Sequence, residues 1–182
     1  MNIAEIGKLI GEEIAKKPEI CWYPGGFKPP TRGHFEALEQ LLHSANKGVI
    51  FIGKSPRDGI DQEMAYQIWN IYAPYLSKPV EIYKSPVTPL NSTYDYALVN
   101  PNINIIVGAG PEDSSRYNSF RKNPEKYPNV QILDIPLSGE GVRGTQTREK
   151  IMSKDPTSLD FFVPDIINQT DKERIKKILG IA

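Results

Sequence analysis

The chain has little cysteine, no excess of charge of either sign and no long apolar run. Its one cysteine, Cys21, has no partner, which excludes an internal disulfide framework and a cysteine-rich metal site. Lysine plus arginine (22) balance aspartate plus glutamate (22), so no overall field attracts nucleic acid or an anionic membrane surface. We therefore expect neither a nucleic acid nor a membrane as a partner.

A helix that spans a bilayer needs about 20 apolar residues, and no segment approaches that length. The N-terminal residues 1–18 are amphipathic, whereas a signal peptide has an uninterrupted apolar centre. We predict that they form a helix, which either covers the sheet or makes a subunit contact. A cytoplasmic location is expected, and a homo-oligomer is the default assembly.

Short apolar runs alternate with helical patterns along the chain. The runs predict five strands, at Ile20–Tyr23, Val49–Ile52, Val80–Tyr83, Ile103–Val107 and Val130–Ile135. The helical patterns predict helices that carry Phe35, Leu38 and Leu41 after the first strand, and then at Asp61–Tyr75, Tyr94–Val99 and Ser114–Arg121. This alternation favours a Rossmann-like α/β fold, with a doubly wound parallel sheet of about five strands buried on both faces.

We divide the chain into an N-terminal helix (residues 1–18), one Rossmann-like domain (residues 19–152) and a C-terminal helical tail (residues 153–182) that packs on the same domain. In the tail, the sequence TDKE from Thr170 to Glu173 matches a capping box. It predicts that the last helix begins after Thr170.

Two glycine-containing basic loops are candidates for phosphate binding. In the first, which follows the first strand, Gly25 and Gly26 let the backbone approach a ligand, and residues 31–34 lead into a helix whose free N–H groups attract anions. Lys28 and Arg32 add positive charge. Because ligands of doubly wound sheets bind at the carboxyl ends of the strands, this loop lies where a ligand is expected.

The second loop has the sequence GEGVRGTQTREK and follows the last strand. The hydroxyls of Thr145 and Thr147, the guanidinium of Arg148 and the backbone N–H groups offer many donors at the start of a helix. We predict that this loop faces the first across the sheet and that together they bind a polyphosphate.

The two loops carry a resemblance to a known family. The sequence GGFKPPTRGH resembles the first signature of the nucleotidylyltransferase superfamily, in which TRGH stands for HxGH or TxGH. The sequence VRGTQTR resembles its second signature, ISxTxxR. The order and separation of the signatures and the α/β pattern between them agree with the family from about Ile20 to Met152.

The resemblance implies transfer of a nucleoside monophosphate from a nucleoside triphosphate to a phosphorylated acceptor, with release of pyrophosphate and no covalent enzyme intermediate. It assigns His34 as a donor to the α-phosphate and places Thr31 where the family has its first His or Thr. Lys28 is a further phosphate contact. Arg148 and Thr145 hold the β- and γ-phosphates, and Mg²⁺ bridges phosphate oxygens without a dedicated protein site.

By the same resemblance, the two signatures supply the nucleotide contacts, and the glycine-containing turn after the fourth strand adds Gly108 as a further candidate. Together, these residues are Gly25, Gly26, Phe27, Gly33, His34, Gly108, Arg143, Gly144, Thr145, Thr147 and Arg148. Arg143 departs from the family, which has serine there. An arginine can bind phosphate with two parallel hydrogen bonds, so the change is either compensated or damaging.

The sequence does not determine which nucleotide donor and which acceptor are used. Nicotinamide mononucleotide and phosphopantetheine are the leading acceptors for an AMP donor, and a cytidylyltransferase acting on an alcohol phosphate is the alternative. Lys54 and Arg57, after the second strand, are candidates for the acceptor phosphate. A third hypothesis, motivated by Arg143, is a nucleotide-binding regulatory module without turnover.

Overall fold

Five parallel strands form the centre of the protein. The computed structural model describes residues 20–110, 114–135, 144–155 and 157–181. The strands are β1 (Ile20–Gly25), β2 (Lys47–Ile52), β3 (Val80–Lys84), β4 (Ile105–Ala109) and β5 (Val130–Asp134), in the spatial order β3-β2-β1-β4-β5. The predicted doubly wound parallel sheet is confirmed. The helix predicted for residues 1–18 lies outside the described residues.

Helices connect the strands and follow the last of them. They are α1 (Arg32–His43), α2 (Gln62–Tyr72), α3 (Pro89–Val99), α4 (Asn118–Lys122), α5 (Gly144–Met152), α6 (Ser158–Phe162) and α7 (Gln169–Leu179). Short 3₁₀ helices at Ala73–Tyr75 and Ser114–Tyr117 follow α2 and precede α4. None of the helices within the described ranges is long and apolar enough to cross a membrane.

The central strands of the sheet are buried on both faces because their alternate residues belong to two separate apolar clusters. Cys21 packs with α1, α2 and the C-terminal helices, whereas its neighbours Ile20 and Trp22 pack with α3 and α4 on the other face. Burial raises the pKa of the Cys21 thiol to about 12. Cys21 is therefore an unreactive core residue.

The starts of α3 and α7 differ from the sequence prediction, and the helix predicted from Ser114 begins there as a 3₁₀ helix. Helix α3 begins at Pro89, five residues before the predicted Tyr94, because the Thr88 side chain caps it and proline suits the first turn. Helix α7 begins at Gln169, and its cap is Asn168 instead of Thr170: the Asn168 side-chain oxygen accepts from the Asp171 N–H at 2.8 Å. The capping-box prediction at Thr170 was therefore wrong.

The order of the strands places the ligand edge between β1 and β4. The chain goes from β1 to β2 on one side and reaches β4 on the other, so the strand order reverses between β1 and β4, which is where ligands of doubly wound sheets bind. The first candidate phosphate loop follows β1 directly. The fold thus brings that loop to the position where a ligand is expected.

Candidate active site

The first candidate loop ends in a capped helix start that fixes His34. Thr31 is buried and precedes the first residue of α1. Its backbone N–H donates to Nδ1 of His34 at 3.0 Å, and its Oγ1 lies 2.9 Å from the same nitrogen. Because an N–H can donate only to an unprotonated ring nitrogen, the neutral imidazole carries its proton on Nε2. Within the described part of the chain this Nε2–H has no hydrogen-bond acceptor, so His34 can donate it to a ligand.

The imidazole of His34 is kept neutral by its apolar surroundings. The ring of Phe27 meets it edge-on, with centroids 5.1 Å apart, and the ring of Tyr23 lies at 6.5 Å. Burial lowers the pKa of His34 to about 4. At neutral pH the side chain is therefore a neutral hydrogen-bond donor and not a cation.

Phe27 is held in an unusual backbone conformation. Its φ is +51°, in the left-handed region, and its side chain is buried against Tyr23 and Trp69 as well as His34. The close packing also explains the glycine two residues earlier. A Cβ on Gly25 would lie 2.6 Å from the Phe27 ring, so no other residue fits there without moving that ring.

Lys28 links the first loop to the end of the neighbouring strand. Its ammonium donates to the carbonyl of Gly26 at 2.8 Å and to the carbonyl of Gly53, just after β2, at 2.9 Å. The side chain is 4 % exposed, and burial lowers its pKa to about 8. Two of its three N–H groups are thus used within the protein, while a phosphate contact by the third stays a prediction.

The lowered pKa of Lys28 has a consequence for stability. Between pH 8 and the ordinary lysine pKa of 10.5, the unfolded chain retains a proton that the folded chain has lost, so stability rises with pH. We expect the free energy of unfolding of the wild type, relative to Lys28→Met, to increase by about 1–2 kcal/mol from pH 7.5 to 9.5. Denaturant unfolding at both pH values measures this.

The difference between the two proteins isolates Lys28 because other titrating groups are common to both. Lys122→Met, which removes an exposed lysine from the end of α4, is the control, and it should keep the pH dependence of the wild type. A constant difference between wild type and Lys28→Met across this range would contradict the prediction.

Arg148 joins the second signature to the first. Its Nη1 donates to the carbonyl of Lys28 at 3.3 Å, and its Nη2 lies 3.4 Å from Oγ1 of Thr145. Its Nε donates to the carboxylate of Asp58, in the loop after β2. The guanidinium therefore lies where three loops meet at the carboxyl edge of the sheet.

The other predicted residues of the second signature differ in their surroundings. Thr145 is exposed at the start of α5, next to Gly144. Thr147 is fully buried, so of the two threonines only Thr145 is open to a ligand. The nucleotide contact of Thr147 stays a prediction, and the burial of its side chain does not favour it. Arg143 lies outside the described residues.

The loop after β2 also reaches the first signature. Arg57 is exposed, and its Cζ lies 4.0 Å from the position that a Cβ on Gly26 would occupy. The Gly53 N–H donates to the carbonyl of Gly25 at 2.8 Å, which fixes the two loops side by side. Lys54 is exposed in the same loop. The acceptor roles of Lys54 and Arg57 stay predictions, and the structure brings Arg57 close to the site.

Gly108 has a packing reason to be glycine. It lies within β4, where a Cβ would come within 2.4 Å of Leu41 from α1 and 2.6 Å of Ile135 after β5. The missing side chain thus lets α1 pack closely on the sheet. The nucleotide contact predicted for Gly108 stays a prediction.

Arg32 and Asp58 have roles that the sequence did not indicate. Arg32 turns to the C-terminal segment, where Nη2 donates to the carbonyls of Asp160 and Val163 and to the carboxylate of Asp165. It therefore anchors the signature helix instead of contributing charge to the phosphate loop. The Asp58-Gly59 pair is a typical signal for a tight turn, but its contact with Arg148 spans 90 residues of chain.

Comparison with known proteins finds similar sequences and folds among the adenylyltransferases. A phosphopantetheine adenylyltransferase from Agrobacterium fabrum is 22% identical over 167 residues, which cover 87% of this chain and 99% of that protein. No protein-family profile matches the chain.

Two solved structures resemble the fold. A protein assigned as a nicotinate-nucleotide adenylyltransferase from Vibrio parahaemolyticus superposes with a TM-score of 0.63 at 18% identity, over 87% of this chain and 98% of that one. The second structure is a bifunctional NMN adenylyltransferase/ADP ribose pyrophosphatase from Francisella tularensis, complexed with AMP and a manganese ion. It superposes with a TM-score of 0.55 at 19% identity, over 87% of this chain and 52% of that one. These solved structures confirm the fold, and the sequence similarity to the phosphopantetheine adenylyltransferase agrees with the expected superfamily.

Proposed function

We infer that this chain, a member of the nucleotidylyltransferase superfamily, is an adenylyltransferase that transfers AMP from ATP to a small phosphorylated acceptor and releases pyrophosphate. The observation that carries the proposal is the contact of Arg148 with the Lys28 carbonyl, which joins the two signature loops at the ligand edge. The acceptor is nicotinamide mononucleotide or phosphopantetheine, the acceptor types of its relatives. The relatives favour an adenylyl donor over a cytidylyl donor.

The reaction is an in-line displacement at phosphorus. An oxygen of the acceptor phosphate forms a bond to the α-phosphorus of ATP, and the bond from that phosphorus to the bridging oxygen of the β-phosphate breaks. Pyrophosphate leaves with the bonding electron pair. No enzyme nucleophile is needed, so the protein acts through positioning and stabilisation of the charge that develops.

The roles of His34 and Arg148 follow from the protonation state of the first and from the N–H groups that the second has available. The neutral imidazole of His34 donates its Nε2–H to a non-bridging α-phosphate oxygen, and its orientation is set by Thr31. Arg148, with N–H groups to spare on both terminal nitrogens, binds the leaving β- and γ-phosphates. The two roles place the scissile bond between the first and second signatures.

A divalent metal accompanies the nucleotide, and we propose that it is Mg²⁺. Among the described residues no group of three or more His, Cys, Asp or Glu side chains is arranged to hold a metal ion. The donors at the two loops are cations and N–H groups, which suits a metal carried by the triphosphate itself. When bound, the ion neutralises phosphate charge.

Pyrophosphate release tests the proposal. With Mg²⁺ present, we expect release from ATP with either nicotinamide mononucleotide or phosphopantetheine, and at least tenfold slower release when CTP replaces ATP. Flavin mononucleotide and alcohol phosphates complete the panel of acceptors. Release with CTP and an alcohol phosphate alone would establish the cytidylyl alternative, and triphosphate binding with no release from any pair would indicate a regulatory module.

A further inference from the structure

The charged side chain of Arg148 is largely buried. Its side chain is only 12% exposed, and the contacts of its terminal nitrogens, at 3.3 and 3.4 Å, are long for hydrogen bonds. The ion pair from Nε to Asp58, at 2.5 Å, is its shortest contact. Asp58 therefore supplies both the counter-charge and the tightest geometric restraint on the guanidinium.

The position of Asp58 is set by its backbone. Arg57 and Ile60 exchange two backbone hydrogen bonds of 3.0 and 2.9 Å, which close a two-residue turn. The φ angles of Asp58 (+48°) and Gly59 (+78°) both lie in the left-handed region, as in a type I′ turn. Aspartate and glycine are residues that tolerate this conformation. The turn thus presents the carboxylate on a rigid support.

We propose that Asp58 is a positioning residue for adenylyl transfer, which holds Nε of Arg148 so that the terminal N–H groups face the leaving pyrophosphate. This inference rests on the proposed function. A guanidinium is planar, so a carboxylate that fixes Nε also fixes the plane in which the remaining donors lie. Without Asp58, the two long contacts would be the hydrogen bonds that still restrain Arg148 among the described residues.

The carboxylate also repels phosphate, and this effect opposes positioning. Asp58 is half exposed and its charge is neutralised by the guanidinium that it contacts, so water and the ion pair screen the repulsion. In contrast, removal of Asp58 directly disturbs the orientation of the Arg148 guanidinium, which is the group that binds the phosphates. We therefore expect removal of Asp58 to weaken phosphate binding.

Calorimetry with inorganic tripolyphosphate tests the inference without a need for turnover. We expect Asp58→Ala and Arg148→Ala each to weaken binding about tenfold, and the double variant to be no weaker than Arg148→Ala alone, because Asp58 acts through Arg148. Asp58→Asn keeps an oxygen that accepts from Nε, and it should recover part of the affinity. In the enzyme assay, the KM for ATP should rise in Asp58→Ala while the KM for the acceptor stays constant.

Glu81→Ala is the matched control. Glu81 is 46% exposed and pairs with Lys47 at 2.8 Å, near the opposite edge of the sheet, so its loss should leave tripolyphosphate binding unchanged. Unchanged or tighter binding by Asp58→Ala, or additive losses with Arg148→Ala, would overturn the inference. Tripolyphosphate binding with this pattern but no pyrophosphate release would preserve the inference about Arg148 and refute the proposed reaction.

Discussion

His34→Ala is expected to lower kcat for pyrophosphate release by about 10²- to 10³-fold, because it removes a preorganised donor to the charge that develops at the α-phosphate. The KM for ATP should change little, since other groups hold the β- and γ-phosphates. Steady-state assays with ATP and the accepted acceptor measure both constants. This is the largest effect on activity that we expect from one substitution.

The chain provides its own control for this substitution. His43, its other histidine, is exposed at the end of the same helix. His43→Ala should therefore keep wild-type kcat and KM. Equal losses in the two variants would mean that the helix, and not the imidazole of His34, is responsible.

The pH dependence follows from the protonation state of His34. Its pKa of about 4 lies below the ordinary value of 6.5, so the imidazole stays neutral well into acidic solution. Between pH 5.5 and 7.5 we therefore expect kcat/KM to depend on pH in the same way in the wild type and in His34→Gln. A titration near pH 6.5 that disappears in His34→Gln would show that the histidine acts as a cation or as a general base instead.

Gly25→Ala is expected to destabilise the protein by about 1–3 kcal/mol, the usual cost of overpacking a filled core. The new methyl group would lie 2.6 Å from the ring of Phe27. That ring is confined by Tyr23, Trp69 and His34, so it cannot move without disturbing the imidazole. Denaturant unfolding measures the loss, and we expect kcat to fall at the same time.

Gly26→Ala separates this effect from a general sensitivity of the loop. Among the residues that the structure describes, a Cβ on Gly26 would have only Arg57 nearby, at 4.0 Å, which is an ordinary contact. Its stability should remain within about 0.5 kcal/mol of the wild type. Similar destabilisation by both substitutions would indicate that loop flexibility, and not contact with Phe27, makes Gly25 necessary.

The sequence predicted the sheet well because each strand is an apolar run bounded by turns. The two signatures singled out His34 and Arg148, whose roles stay predictions. It did not indicate that Arg32 turns to the C-terminal segment, since the carbonyls that it binds are main-chain groups and leave no sequence signal. Asp58 was missed for a related reason: the pairing of two charged residues 90 positions apart depends on the loops that meet at the sheet edge.

The partners of Lys28 have an electrostatic consequence. Both of its protein acceptors are carbonyl oxygens, which are dipoles and carry no net charge. They accept hydrogen bonds from two of its three N–H groups but do not cancel its charge, as a carboxylate would. A protein whose charges balance overall can therefore keep a local positive potential beneath the loop for which we propose phosphate binding.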